Sequence, residues 1–286
     1  MSEAASMNVL CCQVLADGVV TRADMESHQQ RVAGLVSSAC EDAAVDLVLL
    51  PELSAIEYSG AAFENLSELA TTTDGWLCAS MSKLAREINA AVCFGMPRRE
   101  AEDYFISQVL IDRDGLLLGF YDKVHIAQFG DSVEKPYFTP GNRVGVFTLG
   151  GFRFGIVICY DILFGDYVSM VARGHGIDVM LHPVAFSRDG SFASWPSFVR
   201  TRALENQVYW LSLNRAGSGW GGSIFCPPWF ERQTEVIELD ESETQQVIEL
   251  DRSQLEHAAK NYPIDRDRLG DYSSLLSPCA VSESLD

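Results

Sequence analysis

Residues 154–161 read Phe154-Gly155-Ile156-Val157-Ile158-Cys159-Tyr160-Asp161. Five apolar or small residues, rich in β-branched types, predict a buried strand over 152–159. Tyr160-Asp161 leaves that pattern. A thiol where a strand ends sits on rigid backbone and can face a cleft; the bland alternative is a core cysteine acting as a small hydrophobe. Two other strand ends weigh against the alternative. Leu47-Val48-Leu49-Leu50-Pro51-Glu52-Leu53 brings a carboxylate just past an apolar strand. Gly115-Leu116-Leu117-Leu118-Gly119-Phe120-Tyr121-Asp122-Lys123-Val124-His125 brings an amine past another. Acid, amine and thiol, each delivered by a strand terminus, make a nucleophilic set.

Around these strands the pattern is α/β. A strand is expected over 7–15, a helix over 22–44, a strand over 46–50, a helix over 76–89 and a strand over 91–96 that stops at Pro97. Asp114-Gly115 and Gly150-Gly151 each sit between two apolar runs and read as hairpin turns. Helices over 167–174 and 195–206 alternate with strands over 179–183 and 208–214; late strands follow over 223–226 and 246–251. Hairpins mixed with βα units predict a layered α/β sandwich with mixed sheets. No Pro- or Ser-rich linker divides the halves, so one domain is expected over 1–273, with an irregular tail over 274–286.

Composition narrows the function. The chain has 286 residues and a formal net charge of −19, which repels nucleic acid and anionic membranes. No apolar run approaches the roughly 18 residues of a membrane span. The N-terminal residues lack a basic n-region and an apolar h-region, so a cytoplasmic location is expected. Eight cysteines are scattered with no Cys-x-x-Cys pair, which argues for reduced thiols and against a zinc ribbon. No metal or cofactor is called for. The acidic stretch 231–251 reads as solvated surface.

The chemistry follows from the thiol's ordinary pKa of about 8.5, which leaves little thiolate at neutral pH. None of the five histidines pairs obviously with Cys159, although His125 and His182 lie near strand ends. Glu52 is the better base: it can take the thiol proton and return it to a leaving amine. Lys123 stays protonated and donates to a developing oxyanion, with the Tyr160 N–H as second donor. This is acyl transfer from a carbon–nitrogen bond through a thioester.

These residues resemble the nitrilase, or carbon–nitrogen hydrolase, superfamily. Its Glu-Lys-Cys signatures are matched in order by Leu50-Pro51-Glu52-Leu53, Tyr121-Asp122-Lys123-Val124-His125 and Val157-Ile158-Cys159-Tyr160-Asp161. Gln13, Tyr58, Phe138-Thr139-Pro140-Gly141, the helix from Arg200 to Asn206, Gly222-Ser223-Ile224 and Tyr262-Pro263 extend the resemblance over most of the chain. It implies a four-layer α-β-β-α sandwich and a homodimer. It also implies that Glu134 is a second active-site glutamate supporting Lys123. Tyr58 and Phe186 are read as either lining the substrate pocket or belonging to the core.

The chain departs from the pattern at Leu163, where many relatives carry an arginine able to hold a substrate carboxylate, and at Phe186, often tryptophan. Both changes make the pocket more apolar. A hydrolase of a small neutral amide is therefore expected, with an N-carbamoyl amidohydrolase or ω-amidase as alternatives, and Arg188 or Arg215 as possible replacements for the missing cation. A reading of another class, a catalytically silent binding subunit, would leave Cys159 unreactive. Arg200, Arg202 and Glu205 are expected to form structural ion pairs.

Overall fold

The apolar runs become the strands of two sheets. A computed structural model describes residues 6–270 and Tyr272; the tail expected from Ser274 lies outside the described residues. Strand β1 (Ser6–Gln13) leads through helix α1 (Arg22–Asp42) to β2 (Leu47–Leu49), and short helices α2 (Gly60–Glu64) and α3 (Leu66–Leu69) precede α4 (Trp76–Ile88). Strands β3 (Ala91–Glu100), β4 (Asp103–Ile111) and β5 (Leu117–Asp122) follow as an antiparallel meander. The second half runs β6 (Gly145–Leu149), β7 (Phe152–Ile156), α5 (Gly165–Gly174), β8 (Val179–Pro183), α6 (Trp195–Asn206), β9 (Tyr209–Leu213), β10 (Ile224–Cys226), β11 (Ile237–Glu238), β12 (Thr244–Asp251), α7 (Arg252–Asn261) and α8 (Ile264–Asp267).

The first sheet has the order β12-β1-β2-β3-β4-β5 and the second β11-β10-β9-β8-β7-β6. In each, three parallel strands (β1, β2, β3 and β7, β8, β9) are flanked by antiparallel ones. Parallel strands covered on both faces read as continuous apolar runs, and β2, β8 and β9 are buried at every position. Helices α1 and α4 pack together on one side, α5 and α6 on the other, and β1 meets β9 between the sheets. The result is an α-β-β-α sandwich. Gln13 ties its two halves: its Nε2 donates to the carbonyls of Asp240 and Ser242 at 2.9 and 2.7 Å, and its Oε1 accepts from Ser223 Oγ at 2.6 Å.

Local chemistry sets the helix ends. Thr21 and Asp24 form a reciprocal capping box at the start of α1, whose buried face is Met25, His28, Gln29, Val32 and Val36. Asp251 caps α7, which the sequence pattern did not suggest, by accepting from the Ser253 N–H at 2.8 Å.

Two strand ends differ from expectation. Pro97 does not stop β3, because β2 leaves that strand after the Leu49–Cys93 pair; Pro97 lies opposite Ile106 of β4, and its carbonyl accepts the Thr71 N–H at 3.2 Å. Strand β7 ends at Ile156, not at Cys159. Asp161 is the reason. Its carboxylate accepts the Ile158 N–H at 2.8 Å while its own N–H bonds to the Ile158 carbonyl at 3.0 Å, folding residues 159–163 into a 3-10 turn. The acidic stretch is partly tied down by arginines from elsewhere: Arg31 pairs with Glu243 at 2.8 Å, Arg188 with Glu241 at 3.2 Å, and Arg200 with Glu238.

Candidate active site

Four residues from four loops meet where the two sheets face each other. Glu52 follows β2, Lys123 directly follows β5, Glu134 lies on the loop to β6, and Cys159 opens the 3-10 turn after β7. Glu52, Lys123 and Glu134 are wholly buried and Cys159 is nearly so. The Lys123 Nζ donates to Glu52 Oε1 and to Glu134 Oε1, each at 2.7 Å. The second oxygen of each carboxylate is also engaged: Glu52 Oε2 accepts the Ala185 N–H and Glu134 Oε2 the Ala127 N–H, both at 2.7 Å. A buried charge needs this degree of pairing.

The backbone is shaped to hold these groups. Cys159 has φ of +43° and Leu53, next to Glu52, has φ of +46°, both in the left-handed region that non-glycine residues seldom adopt. The turn carrying Glu52 lies so close on β3 that a Cβ on Gly95 would sit 2.3 Å from the Pro51 carbonyl oxygen and 2.5 Å from the Leu53 nitrogen. Only glycine fits there. Arg215, also buried, holds the same turn from the other side, donating to the carbonyls of Leu53 at 3.0 Å and Ile56 at 2.8 Å.

Electrostatics divide the roles. Burial raises the Cys159 thiol well above its ordinary value and Glu52 raises it further, with Lys123 pulling the other way. Burial also raises Glu52; Lys123 lowers it, Glu134 adds to the rise, and the carboxyl ends at about 7. For Lys123, burial acts downward, but Glu134 and Glu52 outweigh it and its pKa is raised. The resting arrangement is a neutral thiol, a firmly protonated amine and a carboxyl tuned to neutral pH, which suits proton transfer between Cys159 and Glu52.

The cleft at Cys159 is small, about 280 Å³ of empty space, and its walls include Phe129, Ser132, Tyr160, Phe186, Ser187 and Asp189. No Lys or Arg lines it. A larger groove of about 1790 Å³, lined by Trp229, Val247 and His257, contains none of the four residues, so size does not locate the chemistry.

Phe186 is a cleft wall, stacked on Trp195 at 5.4 Å. The Tyr58 hydroxyl donates to Glu134 Oε1 at 2.5 Å. Leu163 packs against the core. Neither Arg188 nor Arg215 lines the cleft. Arg188 donates to the Trp220 carbonyl at 2.6 Å, and Arg215 is committed to backbone carbonyls. Arg202 pairs with Glu205 at 2.9 Å and donates to the Ile162 carbonyl at 3.0 Å, a structural role.

Neither histidine named from the sequence is paired with the thiol. His125 bonds to Asp161 at 2.7 Å, and His182 reaches the backbone carbonyl of Cys159 at 3.0 Å. Asp161 was missed as a support: it gathers the Ile158 N–H, the His125 N–H and the Tyr121 hydroxyl. Its only sequence signal is that it follows Cys159 by two residues. All seven described cysteines are free, no cluster of metal-binding type exists among the described residues, and no described helix is long and apolar enough to cross a membrane.

Comparison with known proteins agrees with the geometry. The carbon–nitrogen hydrolase family model matches residues 11–260. The chain is 28% identical over 255 residues to an omega-amidase of Xenopus laevis, covering 84% of this chain and 89% of that one. It is 29% identical over 255 residues to an (R)-stereoselective amidase of Pseudomonas, covering 86% of each. Among solved structures, a carbon–nitrogen hydrolase of Helicobacter pylori superposes with a TM-score of 0.81 at 20% identity, covering 96% of this chain and 99% of that one. A Saccharomyces cerevisiae member of branch 10 of the nitrilase superfamily superposes with a TM-score of 0.80 at 24% identity, covering 91% and 96%. The chain belongs to the carbon–nitrogen hydrolase family of the nitrilase superfamily.

Proposed function

We propose that this protein is a cysteine-dependent amidase that converts a small neutral amide to its carboxylic acid and ammonia. One observation carries the reading: a lysine ammonium clamped at 2.7 Å between two buried carboxylates, beside a buried thiol at a cleft. Glu52 accepts the Cys159 proton as sulfur attacks the amide carbon. The carbonyl oxygen becomes an oxyanion facing Lys123 Nζ and the Tyr160 N–H. Glu52 then gives the proton to the departing nitrogen, ammonia leaves, and a thioester remains. Glu52 next takes a proton from water, whose oxygen attacks the thioester; the acid is released and the proton returns to sulfur. Glu134 and Tyr58 hold Lys123 in place.

The substrate class follows from the cleft. A carboxylate brought in without a partner costs several kcal/mol. No cation lines the cleft, and Asp189 does. The similarity to omega-amidases favours a carboxylate-bearing substrate; the missing cation weighs against it. Butyramide and succinamate test the choice, since they differ only by a methyl in place of a carboxylate. Butyramide should have the higher kcat/KM, by at least about tenfold at moderate salt, where screening removes long-range repulsion. A tenfold preference for succinamate would overturn the neutral-amide reading. Wild-type protein that releases no ammonia from amides, ω-amides or carbamoyl compounds, and whose Cys159 resists iodoacetamide, would support a silent binding subunit instead.

The family resemblance also supports a homodimer, which light scattering on purified protein checks. Free thiols are consistent with a reducing, cytoplasmic setting.

A further inference from the structure

Behind the nucleophile lies a buried polar chain that the mechanism above does not use. Trp195, Ser212 and His182 come from α6, β9 and β8, and all three are fully buried. The Trp195 indole Nε1 lies 3.1 Å from Ser212 Oγ, Ser212 Oγ lies 2.8 Å from His182 Nδ1, and His182 Nε2 lies 3.0 Å from the Cys159 carbonyl oxygen. The direction of each bond is determined. A carbonyl oxygen only accepts, so His182 Nε2 carries the hydrogen of its bond to Cys159; Nδ1 of a neutral ring then accepts, and Ser212 Oγ gives it its own hydrogen while accepting from the Trp195 indole. Burial lowers the His182 pKa to about 4, so the ring is neutral.

That carbonyl belongs to the same planar peptide unit as the Tyr160 N–H. The Tyr160 N–H precedes the first hydrogen bond of the 3-10 turn, Asp161 N–H to the Ile158 carbonyl, so it has no acceptor within the turn. Tyr160 is a wall of the cleft. The unit is entered through a cysteine in the left-handed region, a strained conformation that needs an external hold.

We propose that His182 is the positioning residue of the oxyanion donor: held as its Nε2–H tautomer by Ser212 and Trp195, it sets the plane of the Cys159–Tyr160 peptide and polarises it, so that the Tyr160 N–H meets the developing oxyanion. The proposal rests on the acyl-transfer reading above. Donation to a peptide carbonyl strengthens the N–H of the same unit as a donor. The effect belongs to the transition state, because the ground-state amide oxygen carries little charge.

The test uses the full chain with p-nitrophenyl butyrate, whose burst of p-nitrophenol reads acylation of Cys159. His182→Phe retains a ring beside Trp210 but has no donor. It should slow acylation at least about tenfold with KM within about twofold, a fraction of the loss of a whole oxyanion donor. Alkylation of Cys159 by iodoacetamide forms no oxyanion and should stay within about twofold of wild type in the same variant. His182→Gln, which restores a donor near the Nε2 position, should recover most of the acylation rate. Equal acylation by His182→Phe and wild type would overturn the proposal while leaving the amidase reading intact. Alkylation falling in parallel with acylation would overturn it too, since that marks general damage to the site. If His182→Phe does not fold, the nitrogen-15 spectrum of the wild-type imidazoles decides: His182 should be the neutral Nε2–H tautomer, and an Nδ1–H tautomer would overturn the proposal. A wild-type protein that releases no p-nitrophenol at all, by burst or by turnover, would sink the amidase reading and this inference together.

Discussion

Two buried thiols, one within a strand of the first sheet and one in the turn after a strand of the second, separate what burial does from what a site does. Cys93 lies within β3, fully buried, and Cys159 opens the turn after β7, nearly so. Desolvation raises both: Cys93 is pushed up to about 12 and Cys159 well above its usual value. Around Cys93 the polar influence is Gln108, which lowers its pKa somewhat. Around Cys159 stand Glu52, Lys123 and Glu134. The backbones differ as well: regular and paired at Cys93, left-handed at Cys159. A buried thiol is inert by default. It becomes a nucleophile where a base is buried with it and where the same burial has raised that base to match neutral pH.

Removing the two sulfurs separately gives the largest contrast. Cys159→Ala should release no ammonia above background from butyramide, with the far-ultraviolet circular dichroism of wild type. Measurable turnover by folded Cys159→Ala would end the comparison. Lys123→Gln comes next. It keeps the length, removes the charge, and leaves Glu52 and Glu134 facing each other. We expect kcat to fall at least about a hundredfold, on the scale of a lost oxyanion donor. A change confined to KM would show that Lys123 only binds substrate.

The pH profile sharpens the contrast. Glu52 works as a base only when ionised. With its pKa raised to about 7, kcat/KM should fall roughly tenfold per pH unit below that value and level off above it. Iodoacetamide should alkylate Cys159 with the same dependence, because Glu52 rather than the thiol's own high pKa governs proton removal. A flat profile from pH 5 to 8 would exclude Glu52 as the base. The smallest effect is expected at the control position: Cys93→Ala should cost about 1–2 kcal/mol in denaturant unfolding and leave kcat/KM within about twofold.

The elements that sequence reading located best are those governed by local pattern. Strand β8 and helix α6 have the bounds expected from the sequence. Helix α4 buries Leu77, Met81, Leu84 and Ala85 of the stripe its period predicts and leaves the fifth member, Ile88, half-buried. The misplaced boundaries were decided by partners distant in sequence or by side-chain hydrogen bonds. Pro97 continues a strand because β2 has already departed, and β7 stops three residues early because Asp161 folds back on Ile158.

The candidate site divides in the same way. Glu52, Lys123 and Cys159 were legible because each follows an apolar strand by one to three residues, and a strand's end is written in the residues around it. Glu134 has no such local signal and came only from resemblance. What only the tertiary structure decided are the relations between these groups. Glu52 and Lys123 are 71 positions apart and share a hydrogen bond of 2.7 Å. The tuning of Glu52 to about 7 depends on burial under both sheets and on two charges from other loops. His182 reaches the Cys159 carbonyl across 23 positions. Arg188 and Arg215 were open replacements for a substrate-binding cation, and the fold places neither on the cleft wall. Strand propensity and turn chemistry are short-range, so a linear sequence reports them. Desolvation and Coulomb interactions depend on distance through space, and the fold alone sets those distances.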